Sequence, residues 1–339
     1  MKAIGFLRDP LINGGSFEEF EIEKTLPTGR DLLVEVKAVS VNPLDVKMRS
    51  RGDLVKKIPM VLGWDAAGVV VEVGPDCSLF KPGDAVYYAG SIMQSGCCSE
   101  FHLVDERIVG RKPKTLDFAQ AASLPLTGLT AWEGLFERLS ISLQNDAHQE
   151  QSILIIGSAG GVGSIATQLA KLAGLYVIGT ASREESIKWT TAHGASFAID
   201  HNHLFAPQLK EIGFSSVDYI FCLNGLGKYW GQMARVIVPQ GKICSVVDPD
   251  CPVDLSLLKN KSATFAWQAV FTRSSYQTAD MIEQHKILNA LSELVDHGKI
   301  KQTVAECLTP INAANMELAH KKLESGRMIG KIVLKQFRN

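Results

Sequence analysis

From Gly157 to Gly163 the chain reads Gly-Ser-Ala-Gly-Gly-Val-Gly. Glycines at this density bring backbone N–H groups up to a ligand with no side chain between. If a helix starts here, its free N–H groups and its dipole favour a diphosphate. The candidate contacts are Ser158, Ala159, Gly160, Gly161, Val162 and Gly163. The pattern is GxxGGxG, one residue off the usual GxGxxG, and a tight turn with no ligand is the other reading. An NAD site carries an acid about 20 residues past the glycines, accepting from the ribose hydroxyls. That place holds Ser182, followed by Arg183. A small hydroxyl beside a guanidinium suits a 2′-phosphate, because Arg grips phosphate with a planar fork. The cofactor expected is therefore NADP(H). Two readings compete: Arg183 as a solvated charge at a helix start, and Glu184 as a ribose acceptor if the register slips.

These residues need a strand before the glycines and a helix after them. Ile153-Leu154-Ile155-Ile156 is a short apolar, β-branched run of the kind that forms a buried parallel strand. Ile165, Ala166, Leu169, Ala170, Leu172 and Ala173 recur at helical spacing, Gly174 stops the helix, and Tyr176-Val177-Ile178 opens a second strand. Strand, glycine turn, helix and strand make the βαβ context that such a motif requires.

The 339 residues are enough for two domains. With 46% hydrophobic and 21% charged residues and a net charge of −1, there is no electrostatic case for nucleic acid or an anionic membrane. The N-terminal MKAIGFLRDP meets charge early and lacks the apolar core of a secretory signal, and no apolar run is long enough to span a bilayer. The 7 cysteines are scattered and form no CxxC. A reducing, cytoplasmic setting without a disulfide framework is expected.

Residues 1–122 are strand-rich, with runs at 2–7, 17–24, 31–39, 69–73, 85–88 and 100–104 separated by turns such as Lys81-Pro82-Gly83-Asp84. Many short strands with Gly and Pro turns suggest a small, irregular β-barrel. Helices are then expected over 118–122, 128–139 and 229–238, and strands over 217–223, 241–247 and 264–270, the doubly wound pattern. A helix over 280–295, a strand over 303–308, a helix over 312–324 and a strand over 331–334 follow, and this tail is expected to return to the first layer. The fold class is α/β: one domain from residues 1–122 and 272–339, and a parallel-sheet domain over 123–271.

Several segments in combination resemble the medium-chain dehydrogenase/reductase superfamily. They are Val41-Asn42-Pro43-Leu44-Asp45, Gly63-Trp64-Asp65-Ala66-Ala67-Gly68-Val69, Phe80-Lys81-Pro82-Gly83-Asp84-Ala85-Val86, Leu124-Pro125-Leu126-Thr127-Gly128-Leu129-Thr130-Ala131-Trp132, the glycine turn, and Ile329-Gly330-Lys331-Ile332-Val333-Leu334. The likeness runs nearly end to end. It is greatest to the quinone-oxidoreductase branch, above all the group labelled zinc-type alcohol-dehydrogenase-like. It implies a GroES-like β-barrel domain, a Rossmann NADP-binding domain and a homodimer. In zinc members a Cys in the first motif, a His-Glu pair in the second and a ligand in the Leu124–Trp132 motif hold the catalytic metal. Here those places hold Asn42, Trp64-Asp65 and Leu126. Trp and Leu ligate no zinc, and a catalytic site needs three protein ligands, so no catalytic zinc is expected. The lobe for structural zinc, four cysteines at short spacing, is answered by residues 91–100 with Cys97 and Cys98 alone.

Hydride transfer to an electron-poor acceptor asks less of the protein than alcohol oxidation, which calls for a strong Lewis acid. The protein then supplies orientation and a polar grip on the developing oxyanion. Asn42 is the first candidate for that grip; its other reading is a turn residue before Pro43. Asp45 orients Asn42 or lies near the nicotinamide ribose, or it caps a helix. Trp64 is a flat wall for a planar acceptor or a core residue. Asp65 joins the site or makes a structural hydrogen bond. The resemblance sets Thr127, Thr130, Val246 and Val270 near the nicotinamide, Asn224 near the adenosine half, His201 against the adenosine phosphate and Lys331 within reach of a phosphate. Each of these also has an ordinary structural reading. Tyr87, Tyr88, His102 and Tyr276 are the remaining proton donors, with water as the alternative. His201 and His203 lack a third ligand for a metal.

The reading is an NADPH-dependent, zinc-independent reductase of quinones or α,β-unsaturated carbonyls. Its competitors are a zinc-dependent alcohol dehydrogenase and a non-enzymatic NADPH-binding sensor, since fold does not fix function.

Overall fold

The computed structural model describes residues 1–9, 14–51, 59–143 and 150–337. The chain divides into two compact units, Met1–Leu126 with Phe271–Asn339, and Thr127–Val270. In chain order the first unit contains β1 (Lys2–Asp9), β2 (Gly14–Glu21), β3 (Asp31–Val41), α1 (Pro43–Arg51), β4 (Met60–Val61), β5 (Ala66–Val73), β6 (Ala85–Tyr88), β7 (Phe101–Asp105), β8 (Val109–Arg111) and α2 (Phe118–Ala122). Helix α3 (Pro125–Trp132) carries the chain into the second unit, with β9 (Ser152–Ile156), α4 (Gly161–Leu172), β10 (Tyr176–Thr180), α5 (Glu184–Ala192), β11 (Phe197–Ile199), α6 (Phe205–Glu211), β12 (Val217–Cys222), α7 (Leu226–Val236), β13 (Ile237–Ser245), α8 (Ser256–Lys259) and β14 (Thr264–Trp267). The return to the first unit adds α9 (Thr272–Tyr276), α10 (Glu283–Asp296), β15 (Val304–Leu308), α11 (Ala313–Glu324) and β16 (Lys331–Lys335).

Strand β3 is the axis of the first unit. Leu32, Leu33, Val34, Val36, Ala38, Val39 and Val41 are all buried, a run that only a strand covered on both faces keeps dry. One edge pairs with β5; the other is shared, Asp31–Glu35 with β7 and Ala38–Val41 with β16. Register shifts at Leu33/Val34 and Val36/Ala38 bend the strand between its partners. The sheet runs β15-β16-β3-β5-β6-β8 with β7 on β3, and a second sheet runs β2-β1-β4. The C-terminal β16 therefore lies antiparallel against the strand that ends at Val41, just before Asn42, which sets Lys331 beside the first sequence motif.

The second unit is a six-stranded parallel sheet in the order β11-β10-β9-β12-β13-β14. This is the dinucleotide-binding order, with the glycine turn at the carboxyl end of the first strand. All of β9 is buried, as its apolar run requires. Helix α7 starts at Leu226 rather than 229, because Gly225 takes the left-handed conformation (φ 61°) and ends the loop there. The helix expected from 128 starts at Pro125, which suits a first helical position. It gives way to a π-helical turn over Glu133–Arg138, where a Cβ on Gly134 would lie 2.3 Å from the Phe221 ring. Among the described residues, no helix is long and apolar enough to cross a membrane.

Candidate functional site

In the first unit the local chemistry at the end of β3 fixes Asn42 and Asp45 together. Pro43 opens α1, Asn42 precedes it, and Asp45 Oδ2 accepts from the Asn42 backbone N–H at 2.6 Å. Asp45 is thus the third helical residue reaching back to the cap position. Its own N–H returns to Asn42 O at 2.9 Å.

Around this turn three distant segments meet on one carboxylate. Asp65 Oδ1 accepts from Leu126 N–H at 2.7 Å, and Oδ2 accepts from Asn42 Nδ2 at 2.8 Å and from Lys331 Nζ at 3.0 Å. Lys331 Nζ also donates to Val41 O at 3.0 Å and to Asn42 Oδ1. All three protons of the ammonium therefore have acceptors. Asp65 and Asp45 are 0% exposed, Asn42 2% and Lys331 4%. Burial pushes the Asp65 carboxyl above the usual carboxylate range, with Lys331 and the Leu126 N–H opposing. Burial also pushes Asp45 up to about 7, against the pull of the Asn42 amide and Lys331, and its Oδ1 has no hydrogen-bond partner among the described residues.

This geometry corrects two expectations and narrows a third. Asn42 is buried, with one amide N–H on Asp65 and its Oδ1 accepting from Lys331, which leaves one N–H for a carbonyl or a nicotinamide. Lys331 is neither a strand-edge lysine nor a phosphate ligand, because Asp65, Asn42 and Val41 take its three protons. Trp64 is 3% exposed and donates its indole N–H to Ser91 O at 3.1 Å, the position of a core residue rather than an open wall.

In the second unit the glycine turn joins β9 to α4. Gly157 has φ +86° and donates to Thr180 Oγ1 at 3.0 Å. The N–H groups of Gly161, Val162 and Gly163 head α4, where no intrahelical acceptor exists for them. The Ser158 hydroxyl turns inward, to Thr180 O and Thr190 Oγ1, each at 3.0 Å, so its side chain is structural. Ala159 is also buried. Gly160 is open, its virtual Cβ meeting only Gly157 O at 3.4 Å, whereas one on Gly163 would lie 2.3 Å from Gly157 O and 2.6 Å from Ser158 Cα. Gly163→Ala is therefore expected to force the turn apart, costing about 1–3 kcal/mol of stability and weakening dinucleotide binding at least about tenfold. Thermal melts and quenching of tryptophan fluorescence by NADPH check this; an unchanged Tm with unchanged affinity refutes the close approach.

Past β10, Ser182 and Arg183 are half-buried. The Arg183 backbone N–H donates to Ser186 Oγ at 3.1 Å and so starts α5. Glu184 lies on α5 with its side chain 80% exposed and paired to Lys188 at 2.5 Å. His201, just past β11, has its pKa lowered first by burial and then by the nearby charges of Lys228 and Arg183, with Asp200 opposing. Three basic groups from successive strand ends thus share one neighbourhood. Lys228 was not singled out by the sequence; the signal for it is a basic residue at the start of the helix after the fourth strand. Asn224 is exposed, and Val246 and Val270 are half-buried, at or beyond the carboxyl ends of β12, β13 and β14. Thr127 and Thr130 are buried one turn apart on α3.

The proton donors are largely internal. Tyr87 OH donates to Leu288 O at 2.6 Å. His102 Nε2 faces Ser95 O at 3.0 Å and so carries the proton, leaving Nδ1 to accept from Tyr88 OH at 3.1 Å. Burial lowers His102 to about 4, which keeps it neutral. Tyr276 is 80% exposed.

The family described as Alcohol dehydrogenase GroES-like domain matches residues 28–123, and the family described as Zinc-binding dehydrogenase matches residues 193–334. A zinc-type alcohol dehydrogenase-like protein of Staphylococcus epidermidis is 43% identical over 335 residues, 98% of this chain and 99% of that one. The mitochondrial NAD(P)H oxidoreductase RTN4IP1 of Homo sapiens is 30% identical, over 90% of this chain and 81% of that one. Among solved structures, a Rhizobium etli protein named as a candidate zinc-dependent alcohol dehydrogenase has a TM-score of 0.94 at 46% identity, covering 100% of this chain and 99% of that one. Escherichia coli quinone oxidoreductase complexed with NADPH has a TM-score of 0.81 at 26% identity, covering 99% and 100%.

The zinc in these descriptions does not fit the residues present. The motif positions supply an amide, an indole turned to Ser91, a leucine, and one carboxylate already bound to an ammonium. Among the described residues, no group of three or more His, Cys, Asp or Glu is arranged to hold a metal. A nicotinamide dinucleotide does fit the open turn at Gly160 and the basic neighbourhood beyond it. Matched end to end by relatives and by fold, the chain belongs to the medium-chain dehydrogenase/reductase superfamily, among the zinc-type alcohol dehydrogenase-like proteins, and is an oxidoreductase of that family.

Proposed function

We propose that this oxidoreductase is an NADPH-dependent, zinc-independent reductase that transfers hydride to a quinone or an α,β-unsaturated carbonyl. The observation that carries this reading is the content of the three motif positions: an ammonium–carboxylate pair in place of a metal donor set. Such a pair cannot polarise an alcohol as a Lewis acid does, so an acceptor that is already electron-poor suits the protein better. Bound NADPH would supply the hydride. The Gly161, Val162 and Gly163 N–H groups would receive its diphosphate, and Arg183 and Lys228 would face its 2′-phosphate. Glu184 favours the same choice of cofactor, because its carboxylate is turned to Lys188 and solvent. Water can return the proton.

The test is to mix the protein with NADPH or NADH in chelator, add an ortho-quinone or an enone, and follow loss of the reduced-nicotinamide absorbance. NADPH is expected to be consumed in preference. Arg183→Ala is expected to raise KM for NADPH about 10–100-fold, the value of a charge-assisted contact, and to leave KM for NADH nearly unchanged. Equal use of both cofactors by the parent protein refutes the phosphate site. Binding of NADPH without consumption points to a sensor, and activity that needs zinc and an alcohol points to a dehydrogenase.

A further inference from the structure

The three motifs that hold a metal in zinc members of the family converge here as well. What they enclose is the Lys331 ammonium, delivered by β16 from 266 residues beyond Asp65. Its acceptors are Val41 O, Asn42 Oδ1 and Asp65 Oδ2, all oxygens, and the cage is closed at 4% exposure of Lys331. Asp65 Oδ1 is tied to Leu126 N–H, so the third motif is held through the same carboxylate. We propose that Lys331 is the resident cation of this cage, a positioning residue whose ammonium replaces a metal ion and fixes the orientation of Asn42, Asp65 and the start of α3.

The physical case is one of charge and donor count. Asp65 and Asp45 place two carboxyl groups in a buried region, and uncompensated buried charge is costly. An ammonium supplies three N–H donors as well as charge, and the three oxygens match them one for one. An oxygen-only cage is a hard site, unlike the nitrogen and sulfur sets that select zinc. Emptying the cage should therefore create a site for a small ammonium ion, not for zinc.

The experiment uses full-length Lys331→Ala and reads melting temperature and bound metal, neither of which depends on the acceptor or the cofactor. Methylammonium at 100 mM is expected to raise the Tm of Lys331→Ala by roughly 2–4 °C more than it raises that of the parent protein. Tetramethylammonium, which has no N–H, is expected to have no such effect at equal ionic strength. The double variant Asp65→Asn with Lys331→Ala should not respond. Parent protein equilibrated with zinc and desalted should carry well under one zinc per chain. A folded Lys331→Ala indifferent to methylammonium overturns the proposal, as does chelation-resistant stoichiometric zinc in the parent. If Lys331→Ala does not fold, recovery of soluble protein in methylammonium supports the proposal, and failure of both variants to fold with or without it overturns it.

Discussion

Asp65→Ala is expected to lower the melting temperature by roughly 6–20 °C and to cut soluble yield sharply. The substitution removes the common acceptor of Leu126 N–H, Asn42 Nδ2 and Lys331 Nζ in one step. Breaking a buried ion pair by deleting one partner costs about 3–5 kcal/mol, because the remaining charge is left without compensation. Two further donors lose their acceptor, each worth about 1–3 kcal/mol when buried, although the terms share one network and do not add. Against a total stability of about 5–15 kcal/mol, such a loss is severe, and the Tm range follows from about 2–4 °C per kcal/mol. Asp65→Asn should fall between the two, since it keeps one carbonyl oxygen for Leu126 N–H or for Lys331. Thermal melts of the three proteins decide the matter. An Asp65→Ala Tm within about 2 °C of the parent would mean that the cluster is not a structural keystone.

The same cluster marks where sequence reading stops. The βαβ unit was legible because its signals are local: a β-branched run, a glycine turn, a small-residue helix. The strand-rich first layer and the tail's return to it followed from periodicity and turn residues. The motifs around Asn42, Asp65 and Leu126 were visible as motifs, and their lack of zinc ligands was legible one residue at a time. Their partner was not. Lys331 reads as an ordinary strand-edge lysine until β16 is known to pair with β3 at Val41, a pairing that local propensity does not encode. The setting of the Asn42 amide is hidden for the same reason, since its partners lie 23 and 289 residues away. Lys228 escaped because its neighbours, Arg183 and His201, come from other strand ends, and only the parallel order β11-β10-β9-β12 gathers them.

Asp45 should make this protein lose stability as pH rises toward neutrality, and Asp45→Asn should abolish that part of the profile. The carboxyl is raised from 3.8 to about 7 in the folded chain, chiefly by burial. Between those values the folded state holds a proton that the unfolded state has released. Stability from this group is therefore complete below about pH 4 and lost as pH climbs through about 7. The shift corresponds to about 4 kcal/mol over the window. Two histidines oppose it in the parent: burial lowers His102 to about 4 and His320 to about 3. Both must charge on unfolding, so their contribution is lost as pH falls below about 6.5. They are common to parent and variant, so the difference between the two isolates Asp45. The Asn side chain can keep the bond from Asn42 N–H through its carbonyl, and its amide nitrogen falls where Asp45 Oδ1 has no partner among the described residues. That adds a cost independent of pH, which leaves the slope as the diagnostic quantity. Denaturant unfolding of both proteins from pH 5 to pH 8 should show the variant gaining on the parent up to about pH 7 and levelling off above it. A difference that stays flat across that range would mean that Asp45 is already ionised at pH 5 and that Lys331 compensates both carboxylates.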